Sequence, residues 1–416
     1  MIKLIYLCLF IASVAVAAAK PATHSKISED AYSLFALDAQ MRQKYHQSSA
    51  FFAELYKQTK KKEYLYQALR MLEQSNDTKQ LGQMTADALK ESPDDKTLKR
   101  FEIITLLKSG QFAEGSQKAL VLSETTKEAP DYQLYADSRL KLSDYRGAEN
   151  ALEKAYALTF DESTAERIAL IRYTQLGEKE EAITFLKEHI TAQGNSTKIG
   201  KRLASFYADQ GKFDDAAAMY EQTFDAFGDA SAAEEAIKVY AYQQNLMKMT
   251  ALLEKSHIND PFLLDLYVKN KQFTQASALA QSLYEKENNP LFLAQSAVFK
   301  YEGASDQKDP ALVASVIEGL KKASTDLEEP LYLNYLGYLM IDHDVNVSEG
   351  MEYVRRALEK QPDSPFYIDS LAWGNYKLGK CAEALRLIKQ VESMIGTDEQ
   401  EVKDHLKAIQ ACQVKE

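Results

Sequence analysis

Gly374, Gly379 and Lys380 stand near the C-terminus in DSLAWGNYKLGKCAEAL with the GxxxxGK spacing of a phosphate-cradling loop. A working loop of that kind follows a buried strand, wraps its backbone amides around phosphate, and has Ser or Thr after its lysine to hold magnesium. Here a helical pattern precedes the glycines and Cys381 follows the lysine, so nucleotide chemistry is not expected. DHDVN, Asp342 to Asn346, sets three oxygen-bearing side chains at alternate positions as calcium loops do, but Val347 replaces the turn glycine and Tyr353 stands where a bidentate glutamate belongs. A solvated turn is the better reading. The six histidines, His24, His46, His189, His257, His343 and His405, are scattered, none four residues from another histidine, and no GxSxG occurs. The expectation is therefore no catalytic residue, no metal, no cofactor and no enzyme.

The elements that must carry any site are helices. Sixteen Gly and nine Pro in 416 residues are few, so long helical stretches joined by short connections are expected, in an all-α class. A formal charge of -11 argues against general nucleic-acid binding, which needs a surplus of Lys and Arg over an extended face. The first residues, MIKLIYLCLFIASVAVAAAK, combine Lys3, an apolar run from Leu4 to about Val16, and the small residues Ala15, Ala17 and Ala19. That is the pattern of a secretory signal peptide cleaved near Ala17 to Ala19, and it predicts an exported chain. An uncleaved anchor and lipid attachment at Cys8 are the less favoured alternatives. The apolar run is short for a span of ~20 residues, and Ile5, Tyr6 and Leu7 lack the small residues expected before a lipid-bearing cysteine.

Three stretches repeat one pattern: LGEKEEAITFLKEHI from Leu176, QGKFDDAAAMYEQTF from Gln210, and LGKCAEALRLIKQVE from Leu378. Each has Gly, an often aromatic residue two further on, Ala three beyond that, and then a helical apolar run. A small or apolar residue seven before the Gly sets a phase at Ala36, Leu69, Ile103, Ala136, Leu170, Ala204, Ile237, Leu264, Ala297, Gly337 and Ala372. The intervals are 33, 34, 33, 34, 34, 33, 27, 33, 40 and 35 residues. On these residues the sequence resembles the tetratricopeptide repeat family, whose unit is a helix-turn-helix of 34 residues. The small residue of the second helix is matched at Ala148, Ala182, Ala216, Ala276 and Ala384. The resemblance implies a right-handed α-solenoid of about eleven repeats over residues 28–396, after a signal peptide (1–19) and linker (20–27), with a capping helix and tail at 397–416. Departures are expected where Pro261 shortens a first helix and where EGASDQKD, Glu302 to Asp309, inserts between two helices.

In this family the first helix of each repeat lines a concave groove, which implies a site three before, one after and four after the phase residue. Those positions hold Arg100, Arg167, Lys201, Ser205 and Lys238. Lys198 and Arg202 match the basic pair of a clamp for a peptide carboxylate, although Gln133 and Asp137 depart from its other half. At the C-terminal end the same rule gives Asn334, Tyr338, Asp369, Trp373 and Tyr376. The resemblance thus implies a periplasmic scaffold that binds a protein or peptide, an acidic or C-terminal segment among the candidates, in cell-envelope assembly or secretion, with peripheral envelope association left open. The alternative is a carbohydrate-binding scaffold for peptidoglycan or exported polysaccharide, suggested by the aromatic cluster.

Cys381 lies 15 residues before Gly396 and Cys412 lies 16 after it. Gly396 ends one helix, and Thr397 with Gln400 forms a capping box for the next. Equal arms around one turn bring the two sulfurs level, and an exported chain meets oxidising conditions, so a disulfide is expected rather than two buried thiols.

Overall fold

The computed structural model describes residues 28–396 and 399–413. The signal peptide, the linker up to residue 27 and Thr397 of the capping box lie outside the described residues. No described helix is long and apolar enough to cross a membrane. The described residues are all α and fall into two compact units that divide between Leu203 and Ala204.

In the first unit, successive pairs are α1 (Glu29–Met41) with α2 (Tyr45–Thr59), α3 (Lys62–Gln74) with α4 (Thr78–Glu91), α5 (Lys96–Lys108) with α6 (Phe112–Thr126), and α7 (Ala129–Lys141) with α8 (Tyr145–Thr159). The fifth pairs α9 (Glu162–Leu170), continued by a π turn at Ile171–Leu176, with α10 (Lys179–Gln193). The division between the units falls within α11 (Thr197–Asp209), whose pair is α12 (Phe213–Phe227). The second unit continues with α13 (Ala230–Tyr242) and α14 (Leu246–Ser256), α15 (Asp260–Lys269) and α16 (Phe273–Glu287), and α17 (Pro290–Glu302) and α18 (Pro310–Ala323). It ends with α19 (Pro330–Asp342) and α20 (Val347–Lys360), α21 (Pro365–Lys377) and α22 (Cys381–Ile395), and a single last helix, α23 (Gln400–Gln413).

Every phase residue falls in the first helix of a pair. Helices of about 13 to 15 residues are marginal alone in water, so their stability comes from burying one face against neighbours. One such core joins Leu65, Leu69 and Leu72 of α3, Leu81 of α4, and Leu98 and Phe101 of α5. Each fully buried leucine contributes about 1.5–3 kcal/mol. Nine of the phase residues are buried, whereas Leu170 and Ile237 are half-buried. At Leu170 the reason is the π turn, which adds a residue to the first helix, so Ala169, at 0% exposure, takes the buried place instead. The groove positions of that repeat therefore shift by one, and Glu166 rather than Arg167 stands three before it.

The residue seven after each phase residue has left-handed backbone in ten repeats, with φ between 53° and 78°. Glycine fills it at Gly110, Gly177, Gly211 and Gly379, and Gln43, Asn76, Ser143, Gln244, Lys271 and Asp344 fill the rest. The exception is the ninth repeat, where the expected insertion lies. An L-residue at φ 57° is strained by roughly 1–2 kcal/mol, which glycine avoids at the cost of a freer unfolded chain. Lys271→Gly should thus raise the denaturation midpoint of the second unit slightly, by less than about 1 kcal/mol. A midpoint that falls would show that Lys271 is not strained there.

The short interval is not due to Pro261 alone. The second helix α14 has 11 residues where others have 14 or 15, and α15 begins four residues before Leu264 where other first helices begin seven, or in α9 eight, before their phase residue. The long interval divides likewise between the 303–309 loop and a lengthened connection at 324–329.

Charges join successive repeats across a spacing of about one period. Lys61 bonds Glu29 at 2.6 Å, Lys62 bonds Asp95 at 2.7 Å, and Lys96 bonds Glu128 at 2.5 Å. Arg100 holds fully buried Asp131 at 2.6 Å and also Glu128, and these hydrogen bonds raise the guanidinium pKa above its usual range. Exposed pairs of this kind contribute little each, but the Arg100 group is half-enclosed and bidentate.

Candidate functional site

The two ends of the anticipated groove turn out differently. The basic candidates already have partners from neighbouring repeats or their own helix. Arg100 is paired as above, Arg167 with Asp137, Arg202 with Glu166 at 2.8 Å, and Lys238 with Glu235 at 2.7 Å. Lys198 bonds the Ser163 hydroxyl at 2.7 Å and lies 3.9 Å from Glu162. Lys201 is likewise engaged, and Ser205 is half-buried. The spacing that suggested an anion-binding face lets Arg100, Arg167, Lys198 and Arg202 meet acids one repeat away, whereas Lys238 meets one on its own helix.

At the C-terminal end, three successive first helices and α23 enclose a cavity of about 480 Å³. Tyr301 and Glu302 come from α17, Asn334, Tyr335, Tyr338 and Asp342 from α19, and Phe366, Asp369 and Ser370 from α21. Glu399, Glu401 and Val402 close it from the start of α23. Asn334, Tyr338 and Asp369 are thus brought together as the spacing implied. Trp373 and Tyr376 lie behind the wall: Trp373 is half-buried, stacks with Tyr376 at 4.8 Å and with His405 at 4.1 Å, and donates its indole N–H to Asp342 Oδ1 at 3.0 Å.

The chemistry of the cavity is acidic and aromatic. Tyr335 donates its hydroxyl to Glu302 at 2.6 Å and Tyr338 donates to Glu401. Burial, with these carboxylates second, raises both phenol pKa values well above the usual range, so both remain donors. Tyr301 meets His343 Nε2 at 2.8 Å, and burial again holds its phenol protonated. Asp369, 5% exposed, meets His405 Nδ1 at 2.9 Å through Oδ2, while its Oδ1 has no hydrogen-bond partner. Asn334 Oδ1 is also without a partner.

Spacing alone missed Glu302, Asp342, Glu401 and His405. In the sequence Asp342 reads only as part of a calcium-like loop. Its carboxylate takes the indole, Asp344 pairs with Lys377 at 2.8 Å, and Asn346 caps α20, so the three oxygens serve the fold separately. Among the described residues no cluster of three or more His, Cys, Asp or Glu is arranged to hold a metal. Gly374 lies inside α21, and Gly379 is the turn after it, which disposes of a phosphate loop. Cys381 and Cys412 are joined by a disulfide, with Cα atoms 5.8 Å apart, tying the start of α22 to the end of α23.

Two other cavities, of about 370 and 470 Å³, involve α2 to α4 and α5 with α6. The charged wall of the larger one is internally matched, with Lys118 bonded to Glu102 at 2.5 Å and 3.8 Å from Glu114.

No protein-family model matches the chain. Over 63 residues it is 36% identical to a TPR repeat-containing protein of Pseudomonas aeruginosa, which is 15% of this chain and 11% of that relative's length. Among solved structures, it is similar to PilF of Pseudomonas aeruginosa (TM-score 0.37, 15% identity, 50% of this chain and 95% of that one). A tetratricopeptide protein of Thermus thermophilus is also similar (TM-score 0.31, 16% identity, 51% and 100%). So is a chain of the Cut9–Hcn1 heterotetramer (TM-score 0.39, 11% identity, 94% and 98%). With helix pairs recurring at a period near 34 residues, most phase residues buried, and a left-handed turn seven residues on in ten repeats, the described chain is an all-α array of helix pairs that resembles tetratricopeptide repeats.

Proposed function

We propose that the chain is an exported, periplasmic scaffold without catalytic activity that binds another protein through the first-helix face of its C-terminal repeats, in cell-envelope assembly or secretion. The observation that carries this is the cavity walled by α17, α19 and α21 and closed by α23, in which aromatic rings, amide and carboxylates converge. Phe366 stands 59% exposed at its edge, an anchor-sized ring presented to solvent. The signal-like first residues support export. A second reading, a glycan ligand, is favoured by the tyrosines beside hydrogen-bonding groups.

A photo-crosslinking residue in place of Phe366, in cells that make the chain, should capture one protein species, and mature chain from the periplasm should begin just after Ala17 or Ala19. Capture of glycan instead would favour the second reading. A chain that keeps Met1 and stays in the cytoplasm would overturn the placement.

A further inference from the structure

Several carboxylates of the repeats, Glu29, Asp95 and Glu128 among them, find Lys or Arg about one period away. The C-terminal cavity gathers carboxylates that do not. Among the described residues, Glu302, Asp342, Glu399 and Glu401 pair with no Lys or Arg. Glu302, Asp342 and Glu401 instead receive neutral donors, from Tyr335, Trp373 and Tyr338 respectively. Lys377, which approaches Asp342, directs its ammonium to the backbone oxygen of Asp342 and to the Asp344 carboxylate. A neutral donor satisfies one lone pair but leaves the charge, so several negative charges face one enclosed space.

An independent observation points to a missing donor. The Asp369 side chain is only 8% exposed, yet its Oδ1 has no partner although Oδ2 is held by His405. A buried carboxylate oxygen without a donor keeps a desolvation cost that a ligand donor would remove. Asn334 Oδ1 lines the same space, also unmatched. The vacant valences are acceptors, carboxylates line the space, and its walls include the rings of Tyr301, Tyr335, Tyr338 and Phe366.

We infer that this cavity takes the guanidinium of an arginine side chain from an extended segment of the partner protein. A guanidinium is a donor-only cation, flat enough to stack on a ring, and its five N–H groups can serve Asp369, Asn334 and a rim carboxylate together. An ammonium has three donors, is more strongly hydrated, and does not stack. The partner segment is accordingly basic at this point, opposite in sign to the acidic segment that Lys198 and Arg202 suggested. This inference rests on the reading of the cavity as a protein-binding site and specifies what enters it.

Random nonapeptides displayed on phage, selected on the full chain, provide the test. Arginine should be enriched at one fixed position, and the synthetic selected peptide should lose about ten-fold or more in affinity when that arginine becomes glutamine. Replacing Glu302 and Glu401 with glutamine keeps acceptors for both tyrosines, and this variant should weaken the arginine peptide about as much while leaving circular dichroism unchanged. Asp369→Asn should do the same and serves as the second variant. Selected peptides with no basic preference, with lysine as good as arginine, or with acidic residues would overturn the inference, as would no enrichment at all. Calorimetric binding of calcium or spermidine that needs the same carboxylates and displaces the peptide would also overturn it, in favour of a small cation. If crosslinking at Phe366 captures a protein while the selection shows no arginine, only this inference falls; capture of glycan removes the broader reading first.

Discussion

Gly337→Ala is expected to destabilise the second unit by about 1–3 kcal/mol, although in an open helix the same change stabilises by about 0.5–1 kcal/mol. Gly337 of α19 and Gly350 of α20 face each other where the two helices cross. A Cβ on Gly337 would lie 2.5 Å from the Gly350 carbonyl oxygen and 2.7 Å from Val354 Cγ2, and a Cβ on Gly350 would lie 2.7 Å from the Gly337 carbonyl oxygen. These neighbours are largely backbone, so relief requires the helices to separate, not a rotamer change. Separation would loosen Leu336, Leu339 and Met340, which sit in the core shared with α18. Gly350→Ala should cost a similar amount. The double variant should cost less than the two singles together, because once one methyl has parted the helices the second finds room. Denaturant midpoints with hydrogen exchange in α19 and α20 measure this. A midpoint that rises with Gly337→Ala would mean that helix propensity outweighs packing and that the crossing is looser than described.

Reducing the Cys381 to Cys412 disulfide is expected to make the opening of α23 easier by roughly 3 to 4 kcal/mol on the chain-entropy account, given the 31 residues between the cysteines. The bond closes a helical hairpin whose other contacts are Val402 and Ile409 against Ala384, Ile388 and Val391. Opening α23 withdraws Glu399, Glu401 and Val402 from the cavity and His405 from Asp369 and Trp373. Trp373 is the only tryptophan, so its emission reads the event: a red shift and easier quenching in the reduced chain, with helix content almost unchanged. Double replacement of the cysteines by alanine should behave as the reduced chain does. Two free thiols per denatured, unreduced chain from the periplasm would sink the prediction, as would an emission indifferent to reductant.

How much the sequence showed depended on which residues the geometry singles out. The turn seven residues after each phase position is visible where glycine fills it, as at Gly177 and Gly211, and is found only by counting where Gln43 or Lys271 takes the same backbone. The slip from Leu170 to Ala169 had no signature, because a π turn is a change of hydrogen-bond register among ordinary helical residues. It moved Arg167 out of the position that counting gave it. Asn334, Tyr338 and Asp369 could be named from spacing because one helix face repeats. Glu401 and His405 could not, since they reach the site only after α23 folds back beside α21 and α22, a contact that no local pattern records. The pairing of Lys62 with Asp95 or Arg202 with Glu166 was hidden for the same reason: each residue alone reads as a solvated charge.

Those pairs also bear on how an array of this kind can change length. Tandem units are gained and lost whole when a gene recombines with itself out of register, and each loss joins two surfaces that had not met. Excising the third repeat would bring Lys62 opposite Glu128, the acid that now answers Lys96, but would remove Arg100 and leave the buried Asp131 without its cation. Excising the second would set Glu29 against Asp95, two acids in place of the present pair of Glu29 with Lys61. The charges thus act as a grammar for the gene, in which dropping either unit leaves an acid unanswered at the new joint.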